Sequence, residues 1–286
     1  MTATGIGERP DHSLRALARR LIVNLIAWGA ALVRPAHAGS GFWRSLGSAS
    51  HLIGAFAIAA AVTAVLMIFL DPGEIAFHQR FSLWMLNVAA FVSDCGKSGW
   101  FLVPSAAILL VVAAVASPAL GRTTYVTLVS IAGRAGFIFV AIGLPGLIET
   151  IAKRLIGRAR PPLYHATGPY DFVPFSWKVE YASMPSGHAT NVFAAAIVIG
   201  SVFPRLRVLM WTYAVLVGLS RNVLAAHYPS DVFTGAVVGS LGALAVRWWF
   251  ATHRIGFALG PDGAVHAKPG PSWRRVKRVA RRVFGQ

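Results

Sequence analysis

Three short stretches of the sequence gather side chains suited to holding and cleaving a phosphate ester. The first holds Lys153 and Arg160-Pro161, with six residues between the Lys and the Arg. The second is Pro185-Ser186-Gly187-His188. The third runs Ser220-Arg221, five residues, His227, three residues, Asp231. Lys153 brings a point charge, and Arg160 and Arg221 bring guanidinium forks matched to phosphate oxygens. Ser186 and Gly187 open an apolar run that reads as a helix, whose free N–H groups and positive dipole end favour an anion. Glycine lets that backbone approach a ligand closely. His227, with Asp231 nearby, has the form of a base oriented by a carboxylate. Such an imidazole is also able to attack phosphorus directly, giving a phosphohistidine that water then hydrolyses. His188 is suited to protonate the leaving oxygen, a role worth about 10²–10⁴-fold. This scheme calls for no metal and no other cofactor.

Taken singly, these signals are weak. A lone Pro-Ser-Gly-His is usually a helix start, a His-x3-Asp pair is usually a cap or a surface pair, and Lys153 with Arg160 suits an ordinary interface anchor. Their joint occurrence gives them weight. Around them, Glu149 stands four residues before Lys153 and predicts an i,i+4 ion pair. Arg158 suits either a second anionic group on the substrate or membrane headgroups. Asp94, Lys97 and Ser98 read as loop caps or entrance residues. The stretch Pro162–Ser183 is too polar and Pro-rich to span a bilayer. Its Tyr164, Tyr170, Phe172, Phe175 and Trp177 either lie at headgroup level and help select the substrate or form a local plug; the sequence favours neither.

The elements that must position these residues are membrane helices. Of the 286 residues 56% are hydrophobic and 13% charged, and the mean hydropathy is +0.60. This composition excludes a disordered chain, a disulfide scaffold and a typical cytosolic enzyme. One cysteine, Cys95, forbids an intrachain disulfide. Six apolar blocks suit the ~20 residues a spanning helix needs: Leu52–Leu70, Trp100–Ala116, Ala135–Ala152, Met184–Phe203, Val208–Ala226 and Val232–Phe250. The expected fold is therefore an all-α, six-helix membrane bundle. It divides into an N-terminal cytoplasmic or interfacial segment (1–49), a membrane domain (50–250) and a basic cytoplasmic tail (251–286).

Orientation follows from the basic residues. With both termini in the cytoplasm, the inside segments hold 18 of the 27 Lys and Arg, the outside ones hold 8, and Arg134 lies within a span. That topology brings all three motif stretches to the same external face. A competing feature is Arg15–Arg20 followed by Leu21–Val33 and Ala36-His37-Ala38, which has the form of a cleavable signal. Cleavage would invert every later helix against the charge bias. Leu21–Val33 is therefore read as a short interfacial or re-entrant helix. The net charge of +17 finds its partner in membrane lipid rather than nucleic acid. In the tail, Val276, Val279, Ala280 and Val283 share one helical face and basic residues fill the other, as in a surface helix on anionic lipid. Gly235-x3-Gly239 suits close helix packing, and Trp248 and Trp249 suit an interfacial belt.

The pattern K-x6-RP, PSGH, SR-x5-H-x3-D resembles the type 2 phosphatidic acid phosphatase (PAP2) superfamily, and every signature position is filled between Lys153 and Asp231. Before Glu149 the likeness is general only. The resemblance implies that His227 is the nucleophile, Asp231 its partner and His188 the leaving-group acid. It also implies phosphate contacts from Lys153, Arg160, Ser186, Gly187 and Arg221. Met184 departs from the aromatic that members often carry before this Pro-Ser-Gly-His, which bears on site shape rather than mechanism. The expected activity is hydrolysis of a lipid phosphate at the extracytoplasmic leaflet of a bacterial inner membrane. Candidate substrates are lipid A phosphate, phosphatidylglycerol phosphate, undecaprenyl diphosphate and phosphatidic acid. Three other readings stand beside it: a phosphotransferase with a lipid or sugar hydroxyl as acceptor, a metal-dependent hydrolase using His227, Asp231 and His165, and a non-catalytic phospholipid binder or transporter.

Overall fold

Each of the six apolar blocks is helical. The computed structural model describes residues 13–35 and 49–285. Its helices are α1 (Leu14–Val33), α2 (Ala49–Phe69), α3 (Leu83–Cys95), α4 (Gly99–Val115), α5 (Arg122–Ile156), α6 (Gly187–Val202), α7 (Arg207–Val223) and α8 (Pro229–Thr252), followed by α9 (Trp273–Phe284). Short helical turns, among them Glu74–His78 after α2, join some of them. Among the described residues, five stretches are long and apolar enough to cross a bilayer: Leu14–Val33, Ile53–His78, Leu83–Val115, Arg122–Ile156 and Pro229–Thr252. Helices α6 and α7 are shorter, at 16 and 17 residues.

Four features depart from the sequence expectation. Helix α1 has 20 residues and begins at Leu14, seven before the expected interfacial segment. Ser13 caps it by accepting from the Ala16 N–H, so the Arg-rich stretch is its first turns rather than its flank. The Ala36-His37-Ala38 segment lies outside the described residues. Helix α3 was not expected; thirteen residues rise only about 20 Å, too few to register as a span. Residues 257–267 form a hairpin in an otherwise helical chain: β1 (Phe257–Leu259) pairs antiparallel with β2 (Val265–Ala267), with Phe257 opposite Ala267. Finally, α9 carries the expected amphipathic pattern, but its apolar face meets protein. Val279 is buried with Val112, Ala116, Leu128 and Ala132, and Val283 packs against them.

The chain divides into two compact units. One comprises residues up to Ser40, Val103–Phe137 and Trp249–Gln286; the other comprises Gly41–Leu102 and Ile138–Trp248. In the first, α1 is tied down by its polar groups. Asn24 donates to the carbonyls of Ala113 and Ala116, which the last turn of a helix leaves without helical partners. The indole of Trp249 donates to the Leu32 carbonyl. Phe137 stacks edge-on against Phe250 and against Phe257 of the hairpin. Arg134 donates to Ser130 and to the Lys268 carbonyl, so this charge within an apolar helix has polar partners.

The second unit holds all three motif stretches. Its core packs small residues, Val192 and Ala196 of α6 against Ala214 and Val217 of α7. Helix α8 approaches still closer through glycines. A Cβ at Gly235 would lie 2.4 Å from the Ser186 carbonyl oxygen, and one at Gly239 would lie 2.1 Å from that of Thr190. The Gly-x3-Gly spacing thus sets α8 directly against the first turns of α6. Gly239→Ala is expected to lower stability by about 1–3 kcal/mol, because the backbone contact leaves no room for a methyl group. Gly54→Ala, where nothing lies within 4 Å, should be close to neutral. Thermal melting of both variants in detergent checks the contrast.

Candidate active site

The site is assembled where α5 and α7 end and α6 and α8 begin. At the end of α5, Lys153 pairs with Glu149, both largely buried, as the i,i+4 spacing predicts. Glu149 also lies under the Pro-Ser-Gly-His turn: a Cβ at Gly187 would be 3.1 Å from its Oε1. Beyond α5 the chain turns at Gly157, whose φ of +62° few L-residues adopt. A Cβ there would stand 1.7 Å from the Val173 carbonyl oxygen.

That turn sends the backbone of residues 157–160 between two strips of the following loop. Val173 N–H donates to Gly157, Ala159 N–H to Asp171, Arg160 N–H to Glu180, and Ser183 N–H to Arg158. Tyr164 and Tyr170 hydroxyls donate to the carbonyls of Pro72 and Met67. The stretch 162–183 is therefore a structural clamp on the Arg160 segment. Phe175 and Trp177 remain on its surface, Trp177 being 82% exposed, with the Arg154 guanidinium 5.7 Å over the Trp177 ring.

Helix α6 starts with Ser186 as its N-cap residue, yet the hydroxyl makes no cap hydrogen bond. The Ser186 N–H instead donates to the Asp231 carbonyl at 2.9 Å, joining the second motif to the third. Arg221 donates through Nη1 to the Ser93 hydroxyl of α3. Arg160 donates through Nη2 to the Ala182 carbonyl. Among the described residues, the buried Nε atoms of Arg160 and Arg221, the Ser186 Oγ and the His227 Nδ1 have no hydrogen-bond partner. Unpartnered buried donors are uncommon in native proteins. Here four of them belong to the motif residues, and both arginines lie within electrostatic reach of His227. Such a set fits an anion with several oxygens.

His227 is 2% exposed, in the loop between α7 and α8, where Asn222 Nδ2 donates to its carbonyl. Its Nδ1 stands 3.8 Å from Asp231 Oδ2, near enough for charge pairing and too far for a hydrogen bond. Burial pushes its pKa down to about 4, opposed by Asp231 and reinforced by Arg160 and Arg221. The imidazole is thus neutral near pH 7, the form a nucleophile needs. His188, in the first turn of α6, lies within electrostatic reach of Arg221, His227 and Lys153. Gly96, at the turn after α3, makes room beside its ring.

Asp231 is fully buried and fully engaged. Its Oδ1 accepts from Arg158 Nη1 at 2.7 Å. Its Oδ2 accepts from the Ser183 hydroxyl at 2.6 Å and the Tyr228 N–H at 2.9 Å. Arg158 is the principal correction to the sequence reading. It meets neither substrate nor headgroups, being 0% exposed and paired with Asp71 as well as Asp231. Burial alone would depress its pKa, but Asp231 and Asp71 outweigh that and raise it. Sequence reasoning also passed over Asp71, Ser93, Ser183 and Ser230. Asp71 did leave a signal. It abuts an uncharged span in a chain with 10 carboxylate residues, where a charge is costly and usually has a purpose. His165 lies on an exposed turn against Tyr164, and the described residues include no group of three His, Cys, Asp or Glu placed to hold a metal ion. The structure does not bring His165 to His227 and Asp231 as the metal-dependent reading requires.

Comparison with known proteins agrees with the motif reading. A family model described as the PAP2 superfamily matches residues 134–255. A lipid A 1-phosphatase of Rhizobium etli is 32% identical over 198 residues, covering 69% of this chain and 78% of that protein. A lipid A 1-phosphatase of Rhizobium johnstonii is 35% identical over 196 residues, covering 68% and 74%. Among solved structures, a transmembrane PAP2 type phosphatidylglycerolphosphate phosphatase of Bacillus subtilis matches 80% of this chain and 94% of its own, with 18% identity and a TM-score of 0.39.

Proposed function

The chain belongs to the PAP2 superfamily, an integral-membrane phosphatase by its helices and its relatives, and from that premise we propose that it hydrolyses a phosphomonoester on a membrane lipid at the extracytoplasmic leaflet, through a phosphohistidine on His227. The observation that carries this reading is the set of buried polar groups without protein partners, Arg160 Nε, Arg221 Nε and Ser186 Oγ, gathered near the buried His227.

In the proposed reaction, Lys153, Arg160, Arg221 and the Ser186-Gly187 turn hold the phosphate oxygens and take up charge as the transition state forms. His227 attacks phosphorus through Nε2. Its Nδ1 proton then faces Asp231, whose carboxylate stabilises the cationic ring. His188 gives a proton to the departing lipid oxygen; it then takes a proton from the water whose oxygen displaces His227 from phosphorus. Lipid A 1-phosphate stands first among the candidates, because the Rhizobium relatives carry that activity in their names. The basic face of α9, which includes Arg274, Arg278 and Arg281, is proposed to meet anionic lipid, with its apolar face already covered by protein.

The bias in Lys and Arg supports an external site with a cytoplasmic C-terminus. If α1 crosses the bilayer, only the N-terminus changes side. A Lys178→Cys variant in a Cys95→Ser background should react with a membrane-impermeant maleimide from the external side only. Labelling from the cytoplasmic side alone would reverse the proposed orientation.

Purified protein incubated with lipid A 1-phosphate, phosphatidylglycerol phosphate, undecaprenyl diphosphate and phosphatidic acid should release inorganic phosphate fastest from the first. Transfer of the phosphate to an added sugar or lipid hydroxyl, with no free phosphate, would assign a phosphotransferase instead.

A pH dependence follows from the burial of His227. The free enzyme needs the neutral ring, so kcat/KM falls as the pH drops through the His227 value. With that value depressed to about 4, the acidic limb should lie well below the ordinary histidine value of about 6.5. It is read with a soluble aryl phosphate after correction for the substrate's own second ionisation. An enzyme-derived limb at or above pH 6.5 would contradict the assignment.

A further inference from the structure

Behind Asp231, on the side engaged through Oδ1, lies a charged cluster that the reaction scheme above does not use. Arg158 Nη1 donates to Asp231 Oδ1 and to the Ser230 hydroxyl, each at 2.7 Å. Its Nη2 donates to Asp71 Oδ2 and to the Pro169 carbonyl, each at 2.8 Å. The Ser230 hydroxyl in turn donates to Asp71 Oδ2 at 2.5 Å, and the Ser230 N–H donates to Asp71 Oδ1 at 3.1 Å. The Tyr228 ring closes one face of the guanidinium at 4.3 Å. Asp71, Arg158, Tyr228, Ser230 and Asp231 are all 0% exposed. They come from the turn after α2, the segment after α5, and the start of α8.

Charge decides what such a cluster does. A single buried Arg158–Asp231 pair would be neutral overall and would leave Asp231 little net charge to offer an imidazolium. Asp71 supplies a second carboxylate, so the triad of Asp71, Arg158 and Asp231 carries one net negative charge. Arg158 fixes Oδ1, which leaves Oδ2 as the carboxylate oxygen nearest His227. Fully hydrogen-bonded buried networks of this kind hold one geometry, whereas removing one member leaves an uncompensated charge.

We propose that Asp71 and Arg158 are positioning residues that act through Asp231. Arg158 orients its carboxylate toward His227, and Asp71 offsets the charge of Arg158 so that the negative charge facing the imidazole is kept. This rests on the reading of His227 as nucleophile and Asp231 as its partner. Neither Asp71 nor Arg158 touches substrate.

The test uses the full-length protein in detergent and a soluble aryl phosphate. The other charged groups that face His227 are Arg160, Arg221 and His188, and Glu74 faces Asp71 and Asp231; all are left unchanged. Asp71→Asn should lower kcat about 10–100-fold, less than the loss of an orienting aspartate itself, with KM moved less than about threefold. Its acidic limb should shift to lower pH by about half a unit or more, since a negative charge near the His227 imidazolium is gone. Arg158→Lys keeps the charge but loses the fork, so kcat should fall while the limb stays in place. Ser230→Ala, which removes only the linking hydroxyl, should give a smaller fall in kcat and supplies the test if Asp71→Asn does not fold. If kcat falls only in proportion to folded protein, with the Asp71→Asn limb unmoved, the role is structural and the proposal is overturned. Turnover surviving in His227→Ala would instead overturn the underlying reading.

Discussion

Replacing His227 by alanine is expected to remove turnover, by about 10⁴-fold or more, on any phosphorylated lipid the enzyme accepts. Losing a covalent nucleophile in other enzymes costs rates on the order of 10⁶-fold, and no other group stands ready to replace it. His188 is the nearest alternative imidazole, but it lies on α6, whereas the Asp231 carboxylate sits beside the His227 ring, 3.8 Å from Nδ1. The loss should fall on kcat. Lys153, Arg160, Arg221 and Ser186 remain in place, so affinity for a phosphate product should change little. The decisive measurement is trapping of a radiolabelled phosphoenzyme by a quench into alkaline denaturant. The native protein should carry acid-labile, base-stable label and the His227→Ala variant none. Label on the variant would place the covalent step elsewhere.

His188→Ala should show the next largest effect, and its size should depend on the leaving group. A general acid contributes about 10²–10⁴-fold when the departing oxygen needs a proton. A lipid or sugar alcohol needs it; an activated aryl oxide hardly does. The variant should therefore lose about 10²-fold or more on the lipid while retaining most of its rate of phosphoenzyme formation with a nitrophenyl phosphate. Equal losses on both substrates would show that His188 holds the phosphate or the turn rather than delivering a proton. The first-turn position of His188 in α6, close to Arg221 and His227, suits either role in geometry alone, which is why the comparison across leaving groups is the informative one.

Which stretches become helices was decided locally. Apolar blocks of roughly 20 residues have no stable alternative in hydrocarbon, where each backbone polar group must be paired within its own segment. Leu52–Leu70, Trp100–Ala116, Ala135–Ala152, Met184–Phe203, Val208–Ala226 and Val232–Phe250 all therefore appear as helices. The pairing of Glu149 with Lys153 and the close approach at Gly235 and Gly239 were legible for the same reason, since helical periodicity fixes both. Helix α3 and the 257–267 hairpin were not legible. One is too short for a hydropathy window and the other depends on a single turn.

The motif residues could be named from their types and spacing, because phosphate chemistry restricts which side chains serve. Their partners could not. Arg158 is two residues from Arg160 and has the same chemistry, yet one guanidinium keeps a free buried Nε while the other is closed off between Asp71 and Asp231. The fate of each depends on a carboxylate 87 residues away, brought close by how α2, α5 and α8 pack. Hydropathy and periodicity act within one segment and carry no record of which distant segment will lie alongside. A buried charge finds its partner only when the helices close, and the cost of leaving it alone in a dry interior then makes that choice firm.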